Sequence, residues 1–157
     1  MISKTSKINS LIISNSNITI GYTNIFQPKS KTELQKAVNK YIKLKGAAIK
    51  IYGSIKDWDT SQVKSMTELF SHSPFNDDIG KWNTNKVTNM DYMFYNTPFN
   101  QDINSWNTNQ VTIMNGMFQG ATSFNQPLNS WNTNKVTHMG AMFYNATSFN
   151  QPLKSWN

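Results

Sequence analysis

Four carboxylates, Asp77, Asp78, Asp91 and Asp102, are the chain's nearest approach to acid–base chemistry. They lie in neighbouring copies of a sequence repeat, so stacking of the copies would bring acids together. Glycoside hydrolysis needs two carboxyl groups roughly 5–10 Å apart, one holding its proton while the other is ionised. Here no register position holds more than two acids with a suitable base nearby, so the chain is expected not to be an enzyme. His72 and His138 fall at different offsets in their repeats, so no metal-ligand column forms. With no cysteine there is no thiolate metal site, no cysteine nucleophile and no disulfide framework. The expectation is therefore no catalytic residue, no metal and no cofactor. Trp58, Trp82, Trp106, Trp131 and Trp156 could stack on sugar rings, but their strict periodicity with Met and Phe favours an internal ladder.

The frame that must position all of these is the repeat itself. Trp106–Ser130 reads WNTNQVTIMNGMFQGATSFNQPLNS, Trp131–Ser155 reads WNTNKVTHMGAMFYNATSFNQPLKS, and Trp82–Ser105 reads WNTNKVTNMDYMFYNTPFNQDINS. A looser copy, WDTSQVKSMTELFSHSPFNDDIGK, occupies Trp58–Lys81, and a fifth begins at Trp156. A fixed period of 24 or 25 residues marks a chain whose units stack, since one unit cannot bury its apolar face alone. The apolar residues at equivalent positions are the predicted ladder: Trp82, Trp106 and Trp131; Phe94, Phe118 and Phe143; Phe99, Phe124 and Phe149; Met90, Met114 and Met139.

Two local patterns alternate inside each repeat. Val87, Met90, Met93 and Phe94 fall at i, i+3, i+6 and i+7, the stripe of a short helix. After a loop (Tyr95–Pro98 in one copy, Gln119–Ser123 in the next) comes Phe99–Ile103, read as a very short strand around Ile103 stacking in a parallel sheet. The extra residue of the longer repeat falls in that loop, which is therefore expected to face outward. The fold predicted is an α/β repeat, a solenoid over residues 58–157 with short parallel strands and short helices.

Before it stand two other segments. Residues 1–30 are polar and β-leaning, with Leu11, Ile13, Ile18 and Ile20 at even separations, and a disordered arm is the rival reading. Residues 31–57 read as an N-terminal cap: a helix over 31–43 with Thr32 as its cap and Gly46 as its stop, then a strand over 47–52.

Charge separates the same parts. The net charge is +7, but residues 1–57 hold ten Lys against Glu33 and Asp57, whereas residues 58–157 hold five Lys against six acids. All fifteen basic residues are Lys. Arg supplies the bidentate fork that reads guanine, so sequence-specific nucleic-acid binding is not expected. Electrostatic docking of the Lys-rich leader to nucleic acid or an anionic membrane stays an alternative. No apolar run reaches the roughly 18 residues of a membrane span. No signal peptide is visible, so a complete chain would be intracellular or virion-associated.

The frame W-[ND]-T-[NS]-x-V-T-x-M-x-x-M-F, a short loop, then F-N-Q-x-[IL]-x-x-W, resembles the BspA-like leucine-rich-repeat surface proteins. It resembles the form found in mycoplasma lipoproteins and in protist and giant-virus repeat families. The resemblance implies a right-handed leucine-rich-repeat-like solenoid and a cell-surface or adhesion role. The partner expected is a protein or glycan, met by the positions that vary between copies: Lys86, Asn89, Tyr92, Tyr95, Gln110, Gln119, Lys135, His138 and Tyr144. Self-association through an open apolar edge at Phe149, Leu153 and Trp156 is the structural alternative.

Overall fold

The computed structural model describes the backbone of residues 4–14 and 17–156 and the side chains of residues 25–156. Within the leader reading, positions 1–3 and 15–16 lie outside the described residues. Strands β1 (Lys4–Ser14) and β2 (Asn17–Phe26) pair antiparallel. Leu11 is the register partner of Ile20 and Ile13 that of Ile18, so the even-spaced residues lie opposite one another; the register shifts between Ile8 and Ser10.

Helix α1 spans Lys31–Lys43. Its cap is Ser30 rather than Thr32: the Ser30 side chain accepts from the Glu33 amide, and Glu33 Oε2 in turn accepts from the Lys29 amide at 2.7 Å. Leu34, Ala37, Val38 and Tyr41 form its buried face. The segment predicted as a strand over 47–52 is instead a second helix, α2 (Lys45–Tyr52). Ala47 and Ala48 are strong helix formers, and an alternating run of six residues fits a short helix as well as a strand. The break between the helices is at Leu44 (φ −143°, ψ 60°), not Gly46, and α2 closes on Gly53 at φ 75°. A 3-10 turn, Ile55–Asp57, leads into the first repeat.

The repeats overturn the predicted class. Among the described residues of 58–156 there is no helix and no strand, so the α/β leucine-rich-repeat-like solenoid with short strands and helices is not the fold. The Val–Met–Met–Phe stripe is a run of turns. Met90, Tyr92, Phe94 and Asn96 send their amide protons to the carbonyls of Ile113, Asn115, Met117 and Gln119 in the next repeat, not to i−4. Glu68 and His72, Tyr92 and Asn96, Gly116 and Gly120, and Ala141 and Asn145 have positive φ, four residues apart in each repeat, which interrupts any helix. The segment around Ile103 does not ladder; parallel contact between repeats is reduced to single bridges, Ser65 to Asn89, Asn89 to Ile113, and Ile113 to His138.

Side chains complete the join. Asp59, Asn83, Asn107 and Asn132 each accept from the amide two residues on or lie at that turn, with Asn107 Oδ1 to Asn109 N at 2.9 Å. Thr60, Thr84 and Thr108, all buried, donate to the carbonyls of Asn83, Asn107 and Asn132. Indole protons run the other way: Trp82, Trp106, Trp131 and Trp156 donate to the carbonyls of Ile55, Ile79, Ile103 and Leu128. An unpaired buried polar atom would cost about 1–3 kcal/mol. No such side-chain atom occurs among the described residues.

The start of the array is covered by the preceding segments. Phe26, Tyr41 and Tyr52 set their rings 5.1, 6.0 and 5.8 Å from that of Trp58. Lys45, the first residue of α2, pairs with Asp77 at 2.8 Å. Burial, with Asp77 nearby, raises the Tyr41 phenol above its ordinary value, and the hydrogen bond to Asp77 raises Lys45. Both groups thus keep their protons to higher pH when folded than when unfolded. Stability is expected to be steady to about pH 10 and to fall beyond it, as the unfolded chain sheds those protons first. Urea unfolding between about pH 8 and pH 11 checks this; a flat or rising profile would contradict it.

Candidate interaction face and the repeat interior

The ladder positions lie inside. Trp82, Trp106, Trp131, Phe94, Phe99, Phe118, Phe124, Met90 and Met114 are buried; Met139, Phe143 and Phe149, in the fourth repeat, are partly buried and pack against the same core. Phe94 and Phe118 stack at 5.5 Å, Phe118 and Phe143 at 5.6 Å, and Trp106 and Trp131 at 6.4 Å. Within a repeat the two phenylalanines press face to face, 3.9 Å for both Phe94–Phe99 and Phe118–Phe124. Met93, Met117, Thr97 and Ala121 also line this interior. The last two correct the loop expectation: Thr97 turns in and donates to the Phe94 carbonyl at 2.8 Å. The signal available was a small residue, Thr97 or Ala121, recurring beside Phe in the loop.

The variable positions do not form one kind of surface. Lys86 and Lys135 are exposed, and each donates at 3.0 Å to a glutamine one repeat back, Gln62 and Gln110 respectively. Asn89 is part of the scaffold: its Oδ1 accepts from the Asp91 amide and from the Thr67 hydroxyl, both at 2.8 Å. Gln119 is half-buried, while His138 is exposed and pairs with its neighbour Thr137 at 2.8 Å. Tyr92 and Tyr95 come together edge to face at 5.7 Å, and His72 joins Tyr95 at 4.6 Å. Sequence comparison did not single out His72 for this cluster, because its register partners are Asn96, Gly120 and Asn145. Tyr144 is 61% exposed.

Part of the variation has a steric cause. The Tyr92 ring lies over Gly116, where an added Cβ would come within 2.3 Å of it. The Tyr92 ring, as placed, thus leaves no room for a side chain at position 116. The acids are used singly. Asp77 pairs with Lys45, Asp78 accepts from the Gly80 amide, Asp91 from Asn115 and Asp102 from Asn104. Among the described residues no group of three or more His, Asp or Glu is placed to hold a metal ion, and no helix is long and apolar enough to cross a membrane.

No curated protein and no solved structure matches the chain. A family model does: the one described as "Mycoplasma protein of unknown function, DUF285" matches residues 23–98 and again 71–157. The two matches together take in the end of β2, both helices and the whole run of repeats, and on that coverage the chain belongs to this family.

Proposed function

We propose that the chain is a non-enzymatic interaction module of the BspA-like type, binding protein or glycan at a surface through the face that carries Tyr92, Tyr95 and Tyr144. The observation that carries this reading is the aromatic cluster of His72, Tyr95 and Tyr92, with His72 and Tyr92 exposed and Tyr95 half-buried, on an array whose Trp and Phe rings turn to the interior. Tyrosines present apolar area at low entropic cost and keep a hydroxyl for hydrogen bonding, which suits both partner classes. Lys86 and Lys135, steadied by Gln62 and Gln110, supply flanking positive charge.

The test is a glycan array together with a panel of surface proteins, probed with wild type and with a variant carrying Lys86→Ser, Tyr95→Ser, Lys135→Ser, His138→Ser and Tyr144→Ser. These side chains are exposed or half-buried, so the melting temperature should hold while binding falls by about tenfold or more. Equal binding by both proteins, or none by either, would contradict the proposal.

A further inference from the structure

A cleft of about 440 Å³ opens where the second and third repeats meet, bounded by Asp102, Asn104, Ser105, Asn107, Asn109 and Ser130. It is built by a different segment of the repeat from the tyrosine face. We propose that it binds a neutral sugar, the terminal ring of a glycan or a free saccharide.

The lining is chemically one-sided. It offers a carboxylate, amides and hydroxyls, and no cation. Its single charge, Asp102, disfavours anionic ligands. Trp106 belongs to the same wall but is 2% exposed, so its ring is no stacking platform and recognition falls to hydrogen bonds. A sugar hydroxyl both donates and accepts, and a wall that mixes amide N–H donors with carboxylate and carbonyl acceptors matches that double character. The volume is within the roughly 300–1,000 Å³ of small-ligand clefts.

The wall is also held in place before any ligand arrives. Asp102 Oδ1 accepts from the Asn104 amide at 2.8 Å, and Asn107 Oδ1 accepts from the Asn109 amide at 2.9 Å. Asn104 Oδ1 accepts from the Ser130 amide at 3.0 Å, and the Ser105 hydroxyl is tied to the Gly80 carbonyl at 2.9 Å. One oxygen each of Asp102, Asn104 and Asn107 is thus fixed by a backbone amide, which orients the other polar atom of that side chain. Side chains already ordered lose less entropy on binding.

The neighbouring junctions differ. Ser105 and Ser155 close theirs with a hydroxyl bond to the preceding repeat's backbone, at Gly80 and Asn129. At the middle junction it is the Ser130 amide that reaches back, and to the Asn104 side chain. Gly80 stands in the register position of Asn104, and the Asp102 carbonyl approaches to 2.7 Å from where a Cβ would be, which shuts the first junction. Pro127 and Pro152 stand in the register position of Asp102, removing its carboxylate from the later ones.

The experiment is saturation-transfer NMR with a panel of neutral saccharides (glucose, galactose, mannose, N-acetylglucosamine and their disaccharides), with sialyl and sulfated sugars alongside. Asp102→Asn and Asn107→Asp keep the oxygen that each turn uses while changing the second polar atom. Each is expected to weaken a neutral sugar by about tenfold or more at an unchanged melting temperature. The double variant Tyr92→Ser, Tyr95→Ser should bind that sugar as wild type does, which separates this cleft from the tyrosine face. No neutral sugar bound, preference for the anionic sugars, or undiminished binding by the cleft variants would each overturn the proposal.

Discussion

Phe118→Ala will destabilise the chain by about 3–5 kcal/mol, read as a lowered urea midpoint. Phe118 is fully buried and stacked on three sides, against Phe94 at 5.5 Å, Phe143 at 5.6 Å and Phe124 at 3.9 Å. Deleting the ring removes its transfer free energy and leaves a cavity that backbone bonds to both neighbouring repeats keep from collapsing. Those bonds run from the Phe94 amide to Met117 and from the Phe118 amide to Met142. Phe143→Ala should cost less, because that ring is only partly buried. A loss below about 1 kcal/mol at Phe118 would mean that the stacked rings do not bear on stability.

Gly120→Ala is expected to cost about 1–2 kcal/mol. Gly120 sits at φ 68°, in the left-handed region that costs a non-glycine residue about that much. A Cβ there would fall 1.9 Å from Asn96 Oδ1, but that oxygen ends an exposed side chain that can turn away, so the backbone carries the cost. An effect of Gly120→Ala within about 0.5 kcal/mol would contradict the left-handed assignment.

That same backbone geometry explains what could and could not be read from the residues. Trp, Phe and Met recurring in register announce an interior, because nothing else keeps large apolar residues at a fixed period. The helix over 31–43 was legible from its single apolar face. The conformation of the repeats was not. A spacing of i, i+3, i+6 and i+7 places side chains on one side of a helix, but here it does so in turns broken twice per repeat by a positive φ. Asn96, Gly120 and Asn145 are residues that tolerate positive φ. Glu68, Tyr92 and Ala141 share that geometry and give no such signal, leaving Gly116 as the one cue in their column. The amide protons that would have closed helices go to the next repeat, a choice set by long-range stacking and invisible within any one copy.

Of the interaction face, the exposure of Tyr92 and Tyr144 follows from variation between repeats, but Asn89 shows the weakness of that argument. Its changing neighbours concealed a residue that the scaffold uses twice. The cleft at Asp102 could not be found that way, because it depends on how the second and third repeats meet rather than on any residue type alone.

The repeats are joined by backbone bonds to one another and hold no internal helices among the described residues. Scalar coupling across hydrogen bonds, measured by NMR on the isotopically labelled chain, tests this directly. The prediction is a coupling from the Phe94 amide nitrogen to the Met117 carbonyl carbon, and from the Phe118 amide nitrogen to that of Met142. Couplings from these nitrogens to the carbonyls four residues earlier, Met90 and Met114, would instead restore a helix to each repeat and contradict the structure.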